Sequence, residues 1–152
     1  MTSPVDHARI PPVALALGLA GLIPFAAGAL VPWVPDIAPG VGSRLLIGYA
    51  AIILTFLGGI RWGTAIGPYD GRRQSAELLG SVLGSLAGLA ALFLPPILGL
   101  TLLIAGFLLQ ALWDVTSVEA GRLPAWFGKL RMLLTSGAVL ALVLGLIAVA
   151  IT

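Results

Sequence analysis

From Leu78 to Trp113 the chain carries no charged side chain. Such a run is too long for one membrane span, which needs about 20 apolar residues, and too apolar to be a water-facing surface. Lipid is therefore the expected solvent for this part of the chain. Pro95-Pro96 lies near the middle of the run, and a proline pair ends one helix and suits the first turn of the next. The spacing predicts two spans, 75–94 and 96–115, joined by a tight hairpin.

The remainder of the chain follows the same rule. Of its 152 residues, 59% are hydrophobic and 9% charged, which lies well outside the soluble globular range. Further apolar runs predict spans at 13–31, 44–66 and 129–151, so the expectation is an all-α membrane bundle of five helices forming one domain over 1–152. Pro24 is expected to bend the first helix and free a carbonyl that a neighbour must satisfy. Ala27-Gly28-Ala29 resembles a signal-peptidase site after an apolar stretch, but Asp6 beside Arg9 makes a poor basic region before it. Between the first two spans Pro32 to Gly40 forms a loop with Trp33 at belt height, and Ser43 or Gly42 is expected to cap the second helix. Gly67 to Gln74 reads as a polar turn that includes Tyr69 and Asp70. Thr116 to Phe127, with Glu119, Arg122 and Trp126, reads as an interfacial connection.

Charge sets the expected orientation. Arg9, Arg72, Arg73, Arg122, Lys129 and Arg131 fall on one side of this topology and only Arg44 on the other. The positive-inside rule then places the N-terminus in the cytoplasm and the C-terminus outside. A net charge of +2 raises the question of nucleic acid, but the basic residues flank apolar spans and form no stripe with aromatics. The lipid bilayer is the expected partner and nucleic acid is not. With no cysteine, and His7 as the one histidine, disulfides, thiol chemistry and histidine-based metal or haem sites find no ligands here. No cofactor or metal is expected.

Glycine recurs every four residues at Gly80, Gly84 and Gly88 on the third helix, and at Gly59, Gly63 and Gly67 on the second. Such stripes let backbones approach where no hydrophobic force drives helices together in lipid. Helices two and three are expected to pack along them as an antiparallel hairpin. Gly137, Ala141 and Gly145 form a weaker stripe on the fifth helix, for use inside the bundle or between copies.

The residue that most needs explaining is Arg61, inside Phe56-Leu57-Gly58-Gly59-Ile60-Arg61-Trp62-Gly63. An arginine at the centre of a span costs about 2.5 to 3.5 kcal/mol on insertion scales and less near the ends. Gln110 and Asp114 lie one turn apart on the fourth helix; counted from the same side, Gln110 is at a depth similar to that of Arg61 and Asp114 about one turn nearer water. The expected arrangement pairs Arg61 with Asp114, assisted by Gln110 and Glu77, with Trp62 and Trp113 as walls. Two blander readings stand beside it: Arg61 snorkels to the interface beside Trp62, or the pair is a structural clasp and nothing more. The functional reading is a site for an anionic head group, metabolite or partner carboxylate.

The Gly-Gly-Ile-Arg-Trp-Gly string resembles the signature of an uncharacterised bacterial membrane family related to mitochondrial transmembrane protein sixty-nine. The five-span outline and the glutamine-to-aspartate segment near Trp113 are similar as well. The resemblance implies a multi-pass protein of the bacterial inner membrane and assigns no catalytic residue. Three function classes remain. The first is a non-enzymatic accessory, assembly or interaction protein, working with a membrane-protein partner or a second copy of itself. The second is a small carrier or channel using Arg61, Gln110 and Asp114 as a substrate or proton site. The third is a lipid- or quinone-binding protein holding a head group at Arg61 and a tail along Gly106. An enzyme is least favoured, because no nucleophile stands beside a base.

Overall fold

The computed structural model describes residues 9–67 and 71–151, with the side chains of residues 71–73 excepted. The expected turn residues Tyr69 and Asp70, the tail histidine His7 and the side chains of Arg72 and Arg73 lie outside that set. Among the described residues every regular element is helical: α1 (Pro12–Gly21), α2 (Ile23–Leu30), a 3₁₀ turn (Val31–Trp33), α3 (Val41–Ala65), α4 (Gly71–Phe93), α5 (Pro96–Glu119) and α6 (Ala125–Ile151). Among the described residues, five segments are long and apolar enough to cross a membrane: Pro12–Trp33, Val41–Ala65, Gln74–Phe93, Pro96–Glu119 and Ala125–Ile151. The chain is a multi-pass helical membrane protein.

The first span is two helices rather than one bent helix. Pro24 has no N–H to continue the ladder from α1, so the chain breaks at Leu22, whose own N–H turns back to the Leu19 carbonyl at 3.0 Å. The Gly21 carbonyl at the break accepts a hydrogen bond from the Tyr49 hydroxyl of α3 at 3.0 Å, which answers the demand that lipid cannot meet. The next helix begins differently from expectation. Neither Ser43 nor Gly42 caps it; the N-cap is Gly40 at φ 81°, a left-handed conformation that glycine adopts without Cβ strain.

Helix α3 is the hub, packed against α4, α2, α5 and α6. Leu46, Leu54, Leu100, Leu103, Phe107 and Leu142 are the largest fully buried side chains and come from α3, α5 and α6. Phe25 of α2 reaches the same core, edge-on to Tyr49 at 5.1 Å and to Phe107 at 5.8 Å between ring centroids, a geometry that suits the ring quadrupoles. By contrast α1 buries none of its residues.

The contact between α3 and α4 is the most extensive in the bundle, and glycines set it. A Cβ on Gly84 would come within 2.9 Å of the Leu54 carbonyl oxygen, and one on Gly88 within 3.0 Å of that of Ala51. On α3 the contact glycine is Gly58, where a Cβ would overlap the Ser81 carbonyl oxygen, whereas Gly59 and Gly63 have nothing within 4 Å. The expected Gly59–Gly63 stripe is thus displaced by one residue, about 100° of helix rotation. On α6, Gly137 faces Leu22 and Gly145 faces Leu46, so that stripe serves the interior of the bundle.

Outward hydroxyls are closed onto their own helices. Thr55 donates to the Ala51 carbonyl, Thr101 to Ile97 and Ser136 to Met132, at 2.8 to 2.9 Å. These bonds satisfy polar groups on a surface that otherwise meets hydrocarbon.

Candidate functional site

The charged centre of the bundle joins four helices. Asp114 of α5 is 2% exposed and its partner is Arg131 of α6, with Nε at 2.8 Å from Oδ2. That corrects the expected Arg61–Asp114 pair. Arg131 is no juxtamembrane charge, because α6 starts at Ala125, just after Pro124, rather than at Lys129. Six residues at 1.5 Å rise put Arg131 about 9 Å into the helix, where it is 5% exposed. The missed signal was Pro124 followed by Trp126-Phe127, a first helical turn with its interfacial aromatics.

Arg61 is also buried, at 7% exposure, so it does not snorkel to the boundary. Its guanidinium lies over the Trp113 ring at 4.0 Å from the centroid, a cation–π contact that gains strength away from water. Gly80 of α4 makes the room, since a Cβ there would come within 2.9 Å of Arg61 Nη1. Trp113 Nε1 in turn donates to Glu77 Oε2 at 3.0 Å, and Glu77 is 6% exposed. The chain of contact is Arg61 on α3, Trp113 on α5 and Glu77 on α4. Asp114 and Glu77 are the acids whose charges act on Arg61, so Asp114 serves two arginines, one by contact and one through the field.

Gln110 is buried and makes two long contacts, donating to Asp114 Oδ1 at 3.4 Å and to the Leu57 carbonyl at 3.5 Å. Distances of that size mark weak hydrogen bonds. Trp62, expected as a second wall, is 51% exposed and faces outward. Of the expected cluster, Arg61, Glu77, Gln110, Trp113 and Asp114 come together and Trp62 does not. Arg131 joins them, and at the edge Arg122 donates to the Ser117 hydroxyl at 2.8 Å.

Several buried polar atoms are left without an aligned hydrogen-bond partner: Arg61 Nε, Asp114 Oδ2, Arg131 Nε and Nη2, and Thr135 Oγ1. The Arg131–Asp114 contact is therefore a close ion pair, off the axis of a good hydrogen bond. Two spaces adjoin the cluster. A cleft of about 10 Å³ is lined by Arg61, Glu77, Trp113, Asp114, Ser117 and Arg122, enough for a single water with several polar neighbours. A larger cavity of about 370 Å³ lies between α1, α2, α3, α5 and α6, with apolar walls and Arg131 as its charged residue. Gly106, expected to hold a tail, lines neither, because the Leu54 side chain would sit 2.8 Å from a Cβ placed there.

The chain matches the family model described as Protein of unknown function (DUF3429) over residues 10–147. It is similar to Transmembrane protein 69 of Xenopus tropicalis, with 38% identity over 140 residues that cover 90% of this chain and 54% of that protein. The chain thus spans about half the length of the curated relative it matches. No solved structure matches it.

Proposed function

Starting from a chain that belongs to the DUF3429 family of proteins of unknown function, we propose a non-enzymatic accessory protein that assembles with or stabilises a membrane-protein partner or a second copy of itself. The membrane is the bacterial inner membrane or its organellar counterpart, with the N-terminal side facing the cytoplasm or matrix. Removing Arg131 from the charge count leaves Arg9, Arg72, Arg73, Arg122 and Lys129 against Arg44, and the bias still supports that orientation.

One observation carries the accessory reading. The buried charges are turned on one another, Arg131 on Asp114 and Arg61 on the Trp113–Glu77 pair, so they tie α3, α4, α5 and α6 together. A transport pathway would instead need polar groups along both halves of the membrane. The core toward the other end is Leu46, Leu100, Leu142 and their apolar neighbours. Extraction in a mild detergent followed by native mass spectrometry tests the reading: the protein is expected in complex with a partner or as a homo-oligomer, and a lone monomer at every expression level overturns it. Liposome flux assays test the carrier alternative, where flux altered by Arg61→Gln or Asp114→Asn would favour transport. A lipid- or quinone-binding role has the 370 Å³ cavity in its favour.

A further inference from the structure

The break at Leu22 gives the bundle a cavity. With no buried residue of its own, α1 packs on α2 and α6 and presents Ala14, Gly18 and Gly21 to the space beside α3. Phe25 and Phe107 belong to the lining on the core side, and Trp126 and Phe127 to the lining at the start of α6. Leu17 and Phe56 line it too, and both are more than half exposed on the outside of the bundle. The mouth therefore opens sideways into hydrocarbon. At about 370 Å³ the cavity falls within the range of small-molecule sites, roughly 300 to 1,000 Å³.

One side chain in that lining is charged. Arg131 has 6% of its side chain exposed, its Nε is held against Asp114, and its Nη2 is buried with no hydrogen-bond partner. A buried donor without an acceptor is costly, and the Arg131 side chain borders the cavity. Asp114 already neutralises the guanidinium, so an anionic occupant would bring an extra buried charge to a balanced pair. A neutral carbonyl satisfies the donor without that penalty. The aromatic lining favours a flat, conjugated head, and the sideways mouth favours a flexible hydrocarbon tail.

We propose that this cavity binds a prenyl quinone, with one ring carbonyl accepting from the Arg131 guanidinium and the tail leaving between α1 and α3 into the bilayer. The site is separate from the cleft at Arg61, and the proposal stands independently of the accessory reading. Reconstitution of the full chain in phosphatidylcholine nanodiscs and titration with a decyl-chain benzoquinone provides the test, read by tryptophan quenching, with Trp126→Phe identifying the signal of the cavity. Saturable quenching that vanishes in Trp126→Phe is expected. Arg131→Lys, which keeps the charge opposite Asp114 and loses the fork, is expected to weaken binding about tenfold, as one lost hydrogen bond allows. Gly21→Leu, which grows into the cavity from a site whose Cβ would make only an ordinary 3.7 Å contact with Tyr49, is expected to abolish saturation even if Arg131→Lys does not fold. Non-saturable quenching in the wild type, unchanged affinity in Arg131→Lys, or unchanged saturation in folded Gly21→Leu overturns the proposal. So does quenching of Trp126 by brominated acyl chains that the quinone fails to displace, which would assign the cavity to ordinary lipid.

Discussion

Removing Asp114 is expected to damage the bundle more than removing its partner. The Arg131–Asp114 contact is 2.8 Å, worth about 6 kcal/mol by Coulomb's law at an effective dielectric near 20, with most of that offset by desolvation of the two groups. Breaking one side of a buried pair costs about 3 to 5 kcal/mol, because the remaining charge is stranded. Asp114→Leu strands Arg131 and also takes from Arg61 one of its two acidic neighbours, which places it near the top of that range. Arg131→Met leaves Asp114 with Arg61 still in its field, which places it near the bottom. The double variant leaves neither charge of the pair, so it is expected to lose no more than about 2 kcal/mol, well short of the sum of the singles. Reversible unfolding in mixed micelles with increasing dodecyl sulfate, followed by far-ultraviolet circular dichroism, measures all three. Strictly additive losses, or single losses below about 1 kcal/mol, would refute the clasp.

Neighbouring glycines provide a second comparison by the same assay: Gly58→Ala drives a methyl into the Ser81 carbonyl and is expected to cost about 1 to 3 kcal/mol, whereas Gly59→Ala meets open space and is expected to stabilise by about 0.5 to 1 kcal/mol. Trp113→Phe removes the donor to Glu77 and weakens the face offered to Arg61; unfolding is expected to show a loss of about 1 to 3 kcal/mol. Cysteines placed singly at the exposed Ala120 and Ala38 in this cysteine-free chain are expected to react with an impermeant maleimide from opposite sides of the membrane, Ala38 from outside intact cells; the reverse pattern inverts the orientation.

The spans were legible because lipid imposes a simple rule: long apolar runs punctuated at Pro11, Gly40, Pro95 and Pro124 leave helices as the only way to satisfy the backbone. The consequence of Pro24 was legible for the same reason, although Tyr49 as the group that answers Gly21 was not. Pairing was harder. Asp114 has arginines within reach on two helices, and shortening the fifth span by four residues turned Arg131 into a surface charge and left Arg61 as the apparent partner. The adjacent glycines at 58 and 59 pose a similar ambiguity, since one step along a helix turns the face by about 100°, and no count of apolar neighbours separates them. The same step decides that Arg61, three residues from Gly58, faces Gly80 and Trp113, while Trp62 faces outward. The cavity had no sequence signature, because its walls are ordinary apolar residues brought together by a break in the first span.

The ion pair joining α5 and α6 also constrains how the protein is made. A ribosome releases the acid of the fourth span before the base of the fifth, and each group alone would meet the bilayer at a cost that reaches about 2.5 to 3.5 kcal/mol at mid-depth and is less nearer the ends, where these two lie. Each segment gains less by partitioning into lipid as a solitary rod than the two gain as a pair. The last two spans are best delivered together, as a hairpin whose charges meet inside the insertion machinery, so the order of synthesis is written into the same contact that holds the finished bundle.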